Sequence, residues 1–204
     1  MKRHQRRTVF PMSLRLHPLR ITAVAALALA LPLVATQVRE SRAVAASKTA
    51  KLNVEEPYKA PEFVGLENWM NSKGKPVTLA ALKGKVVIVD FWTFGCINCQ
   101  RTLPHMNDLY TKYHAQGLEV IGVHTPEFDS ERTTANVKKA IKREGIKFIV
   151  AQDNQNKTWN AYRNRYWPEF YFIDRKGVVR HTHIGEGGYE NSDLVVAKLL
   201  AEPA

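Results

Sequence analysis

VVIVDFWTFGCINCQRTLPHM, residues 86–106, joins an unbroken apolar run to a helical pattern across Cys96 and Cys99, the only two cysteines of the 204-residue chain. Continuous β-branched runs such as VVIVDF, residues 86–91, mark strands buried on both faces. Beyond the cysteines, Leu103, Met106, Leu109, Tyr110 and Tyr113 recur at helical spacing, and Gly117 is the expected stop. A strand feeding directly into a helix puts Cys96 at the helix N-terminus. Unpaired N–H groups and the positive end of the dipole there favour a thiolate.

Working outward, residues 47–60 are polar and irregular and read as a linker, so the folded domain is expected to span 61–204. Val77–Leu79 reads as a short strand before the turn Lys83-Gly84-Lys85. LEVIGVH (118–124) is the next strand and Glu131–Glu144 an amphipathic helix closed by Gly145. IKFIV (146–150) follows as a strand and Asn156–Arg165 as a helix. EFYFID, the turn Arg175-Lys176-Gly177 and VVRHTHI form a hairpin, and Asn191 or Ser192 caps a last helix. Alternation of this kind predicts an α/β domain, a central β-sheet flanked by helices, whose early strands pair in parallel through right-handed crossovers.

Four uses of a Cys-x-x-Cys pair compete. A zinc clip wants four ligands, and no third cysteine or finger-like histidine spacing is present. Covalent haem attachment wants His after the second cysteine, where Gln100 stands. A staple closing so short a loop removes little unfolded-chain entropy. A redox pair needs only what is there.

The net charge of +11 suggests nucleic acid until it is located. Residues 1–46 hold eight Lys/Arg and one acid, Glu40, whereas the remainder holds 22 basic and 18 acidic residues. The excess belongs to a basic segment followed by the apolar ITAVAALALALPLVA (21–35) and small residues offering cleavage after Ala45 or Ala46. Residues 1–46 are therefore expected to be a signal peptide or an uncleaved N-terminal membrane anchor, with Met1 or Met12 as the start. Either outcome exports the domain to the periplasm or an equivalent oxidising space, where a cysteine pair can cycle. No nucleic-acid partner is expected, and membrane contact only if the segment stays uncleaved.

VDFWTFGCINCQRTLP resembles the active-site segment of thioredoxin-like proteins, and YWPEFYFID resembles their later cis-proline strand. The wider set NWMNSKGKPVTLAALKGKVVIVDFWTFGCINC, VIGVHTPEF, RYWPEFYFID and HIGEGGYE is similar to exported TlpA/DipZ-type redoxins over roughly residues 61–190. The resemblance implies a thioredoxin-like fold and a thiol–disulfide oxidoreductase, a reductase of exported protein disulfides that needs no cofactor and no metal. It casts Cys96 as nucleophile, Cys99 as the resolving cysteine and Asp90 as a buried carboxylate. Trp92 would stand beside the site, Pro104 would kink the helix, Pro168 would be the cis-proline facing the disulfide, and Gly185 would lie near the substrate groove. The chain departs from thioredoxin at Gly95, where that protein has Trp, and at Ile97-Asn98, where it has Gly-Pro. Thr102 stands where some relatives carry an acid. The membrane electron-carrier domain fused to DipZ-type redoxins is missing from this sequence, so a separate membrane electron donor is implied.

Other residues carry alternatives. Trp159, Tyr162 and Tyr166 share a helical face that either packs in the core or walls a groove with Trp167. Glu127, after the 118–124 strand, is either a proton-handling group or loop surface. His181 and His183 share one side of a strand and read as an exposed edge. Rival functions are a thiol peroxidase, since Thr93 lies three before Cys96, and a copper or zinc carrier using the cysteine pair.

Overall fold

A computed structural model describes residues 50–204; the expected export segment, residues 1–46, lies outside them. The elements in chain order are β1 (Tyr58–Lys59), β2 (Glu67–Met70), β3 (Val86–Trp92), α1 (Ile97–Tyr113), β4 (Leu118–His124), α2 (Thr134–Arg143), β5 (Ile149–Gln152), α3 (Lys157–Ala161), β6 (Glu169–Ile173), β7 (Val178–Ile184) and α4 (Tyr189–Ala201). They form one mixed seven-stranded sheet in the order β1-β7-β6-β3-β4-β5-β2. β3 pairs in parallel with β4 and β4 with β5, while β6 runs antiparallel to both β3 and β7. No helix among the described residues is long and apolar enough to cross a membrane.

β3 is central and buried at all seven positions, which is why its sequence does not alternate. Its side chains nonetheless part by the period of two. Ile88 and Trp92 enter a core with Cys99, Leu103 and Met106 beneath α1 and α4. Val87, Val89 and Phe91 face the opposite core with Tyr162, Tyr171 and Val179. Asp90 falls between Val89 and Phe91, so its carboxylate points to the α1 side.

Several elements differ from the sequence reading. Val77–Leu79 is not a strand; the chain passes instead into a 3-10 turn at Ala80–Leu82, whose leading N–H groups at Leu79 and Ala80 are held by the Glu62 carboxylate. The helix expected at Glu131–Glu144 is split by extended Thr133 into a 3-10 turn, Asp129–Arg132, and α2. Positive φ at Asn156 and Arg163 shortens the 156–165 helix to α3. α4 starts after left-handed Gly188 rather than at Asn191 or Ser192. β2 was not anticipated, because a bulge and a positive φ at Asn68 erase its alternation.

Residues 50–60, read as linker, run along β7. Tyr58 and Lys59 pair with Val179 and Val178, and Asn53 exchanges two 2.8 Å hydrogen bonds with the Thr182 main chain. This segment covers an edge that would otherwise offer free pairing groups. Beside it, His181 is buried against Phe172, not on an exposed edge.

Candidate active site

Cys96 occupies the N-cap of α1, extended at φ −79° and ψ 115°, and its sulfur accepts the Cys99 N–H over 3.3 Å. The Cys99 side chain, hydrogen-bonded to the Cys96 sulfur, does most to lower the Cys96 pKa from 9.0 to about 6, and the Cys99 and Asn98 main-chain N–H groups add to it, against partial burial and the nearby Glu127 charge. Cys96 is half-buried and reaches the Trp167 carbonyl at 3.6 Å. Cys99, one turn inward, is fully buried, and desolvation drives its pKa strongly upward. No disulfide joins the two in this structure. The pair is therefore asymmetric: an outer sulfur that ionises easily and an inner one that does not.

Asp90 lies behind them with no exposed surface, and neither carboxylate oxygen meets a donor among the described residues. Burial first, then the Cys96 charge, push its pKa from 3.8 up to about 8. Asp90 in turn contributes to raising Cys99, so carboxyl and thiol are coupled. Trp92 is also fully buried, edge-on to the His124 ring at 5.0 Å. Its indole has room because residue 122, which pairs with Asp90, is glycine. A Cβ there would lie 3.0 Å from Trp92 Nε1 and 3.0 Å from the Phe148 ring.

The Trp167–Pro168 peptide bond is cis. Pro168 is buried and its carbonyl accepts the Gly185 N–H at 2.9 Å, which seats the left-handed Gly185 beside the proline. Trp167 tilts against Trp159 at 4.3 Å and donates its indole N–H to the Thr125 carbonyl at 3.1 Å. The three aromatics expected on one helical face therefore divide. Tyr162 is core, Trp159 packs between that core and Trp167, and Tyr166 is exposed. Glu127 is exposed on the loop after β4. Ile97, Phe128, Tyr166 and Ile184 are exposed on four different segments, next in sequence to Cys96, Glu127, Trp167 and Gly185.

Two residues of the site escaped the sequence reading. Glu131, only 1 % exposed, accepts three main-chain N–H bonds from the loops flanking Cys96. Its polar neighbours Asp129 and Arg132 give it a solvent-facing look, and nothing local marks it. His124 is fully buried, stacked on Phe94 at 5.5 Å and bonded to the Thr93 hydroxyl at 3.3 Å, with desolvation lowering its pKa to about 4. Its place at the end of a strand that is apolar from Val120 to Val123 is the signal that could have flagged it. Among the described residues, no group of three or more His, Cys, Asp or Glu could hold a metal ion.

Comparison with known proteins agrees with this geometry. DipZ of Mycobacterium tuberculosis is 49 % identical over 142 residues, 69 % of this chain and 20 % of that protein. The chain thus spans about a fifth of DipZ. ResA of Bacillus anthracis, named a thiol-disulfide oxidoreductase, is 34 % identical over 140 residues, 69 % of this chain and 76 % of that protein. The fold is thioredoxin-like. A thiol:disulfide interchange protein of the thioredoxin family from Chlorobium tepidum superposes with a TM-score of 0.59 at 27 % identity, covering 73 % of this chain and all (100 %) of that one. The AhpC/TSA family model matches residues 58–182. Since that span is more than half of the sequence and contains both cysteines, Asp90 and Pro168, the chain belongs to the AhpC/TSA family.

Proposed function

We propose that the protein is an exported thiol–disulfide oxidoreductase that reduces disulfides of other exported proteins. The observation that carries this is the asymmetry between half-exposed Cys96, with a pKa of about 6, and fully buried Cys99. At neutral pH Cys96 is mostly thiolate and ready to attack. Its sulfur bonds to one sulfur of the partner disulfide, the partner S–S bond breaks, and the other partner sulfur leaves as a thiolate that takes a proton. Cys99 then loses its proton and attacks Cys96. The intramolecular disulfide forms, the mixed disulfide breaks, and two electrons have passed to the partner.

Asp90 takes the Cys99 proton at that second step; its pKa of about 8 suits a group that accepts a proton near neutrality. The exposed Ile97, Phe128, Tyr166 and Ile184 offer an apolar seat for the chain on either side of a partner disulfide. Trp92 and Trp167 stiffen the walls, and Gly185, with Pro168, borders the groove. A separate membrane protein returns electrons to the Cys96–Cys99 disulfide. The N-terminal basic and apolar segment supports export, whether it is removed or kept as an anchor.

The test is trapping. Cys99→Ala should hold exported partners as stable mixed disulfides, and Cys96→Ala should hold none. Equal trapping by the two variants would void the assignment of roles.

A further inference from the structure

Three main-chain donors from two loops converge on one buried side chain. Glu131 Oε1 accepts the Gly95 N–H at 2.9 Å, and Oε2 accepts the Glu127 N–H at 2.6 Å and the Phe128 N–H at 2.9 Å. Gly95 immediately precedes the nucleophile. The second loop carries Glu127, whose charge acts on Cys96, and the exposed Phe128. Glu131 itself is held in a 3-10 turn, its N–H bonded to the Phe128 carbonyl at 3.0 Å. The glutamate therefore has little freedom to step aside.

Residue 95 reports the same constraint from the other side. A Cβ built on Gly95 would overlap Glu131 Oε1 and approach the Phe128 ring at 3.9 Å. Gly95 has no left-handed φ, so backbone conformation does not demand glycine there. What demands it is the carboxylate. A side chain at 95 and the Glu131 carboxylate in its present place cannot coexist, which gives a physical reason for the chain's departure from tryptophan at this position.

We propose that Glu131 is a positioning residue for disulfide exchange: its carboxylate ties the Gly95 main chain to the Glu127–Phe128 loop and so fixes the distance from which the Glu127 charge acts on the Cys96 sulfur. The inference rests on Cys96 being the attacking thiolate. A glutamate that only stabilised the loop would change melting temperature and leave the electrostatic coupling between Glu127 and Cys96 intact. Loss of that coupling is the distinguishing readout.

The groups that face Cys96 are Cys99 on α1, Asp90 on β3 and Glu127 on the loop after β4. His124 on β4 faces Glu131. The experiment measures the pH dependence of Cys96 alkylation by iodoacetamide in the reduced full chain, with Glu127→Gln made in three backgrounds. In the otherwise wild-type chain, removing the Glu127 charge should speed alkylation near pH 5 by roughly twofold, the scale of one partly screened charge. In Glu131→Gln, an amide N–H₂ replaces one accepting oxygen, the tie between the loops is cut, and the same substitution should have no effect. Gly95→Ala keeps the Glu131 charge but displaces it, and should abolish the coupling too. It also decides the matter if Glu131→Gln does not fold. An undiminished Glu127 effect in either folded background would overturn the proposal. Alkylation requires no partner protein, so a failure of the oxidoreductase reading would show separately, as an absence of trapping by Cys99→Ala.

Discussion

The main-chain N–H of Cys99 points at the Cys96 sulfur across 3.3 Å, so the inner cysteine stabilises the outer thiolate before either has reacted. In the proposed exchange, Cys99 would attack Cys96 from a position already set by that bond. The helix N-terminus adds its dipole, and the fold thus places the N–H donor, the outer sulfur and the inner thiol on a single turn.

The first expected outcome concerns titration. Alkylation of Cys96 in the reduced protein should follow a single ionisation near pH 6, three units below the ordinary thiol value of 9.0. Cys99 should stay unmodified until the protein is unfolded, since it has no exposed surface. Mass spectrometry of protein alkylated across pH checks both. A midpoint near 9, or equal labelling of the two cysteines, would contradict the asymmetry.

Asp90 makes stability depend on pH. Its folded pKa, about 8, lies above the unfolded value of 3.8, so the folded state holds the extra proton between those values. The contribution is intact below about pH 4, declines as pH rises through 4 to 8, and levels off above 8. A shift of this size corresponds to on the order of 5 kcal/mol, at about 1.36 kcal/mol per unit. Asp90→Asn should therefore gain stability relative to wild type as pH rises, reaching a plateau above pH 8, and should resolve mixed disulfides more slowly near neutrality. Denaturant melts across pH and single-turnover reduction of a model disulfide read the two effects. Unchanged pH dependence in both would reduce Asp90 to an ordinary strand residue.

Two buried histidines oppose that slope. Desolvation lowers both His124 and His181 from 6.5 to about 4. The unfolded chain then binds the extra protons between pH 4 and 6.5, and stability falls as pH drops through that window. For His124 this is on the order of 3 kcal/mol. In an Asp90→Asn background the acid-side loss should stand alone. Adding His124→Gln should flatten much of it in urea melts at pH 4.5 and 7. A slope unaffected by that substitution would place the proton uptake elsewhere.

Gly122→Ala should destabilise the domain by about 1–3 kcal/mol, the usual cost of overpacking a tight core. The added methyl would press on Trp92 Nε1, the Phe148 ring and Val150 at 3.0 to 3.3 Å, in the layer directly behind the cysteines. Guanidinium melts give the cost. A neutral or stabilised variant would mean that Trp92 has more room than its packing implies.

Much of the fold was legible because its signals are local. The run from Val86 to Phe91 has one reading as a central strand, the helical spacing after Cys99 continues to Tyr113, and Gly117 takes the left-handed conformation its place predicts. The site nucleus followed from the same logic, since a cysteine pair between a buried strand and a helix has its electrostatics largely determined by that junction. A carboxylate inside an apolar run, Asp90, likewise announced its own burial. Tertiary structure alone decided the residues whose environment comes from distant segments. Glu131 sits among polar neighbours, yet it is buried where Gly95, thirty-six positions earlier, turns its N–H toward it. His181 is buried because Phe172 and Asn191 close over a strand whose outer side Asn53 covers. Periodicity reports which face of an element is buried; which polar group another loop will bury depends on where the chain returns, and no local pattern encodes that.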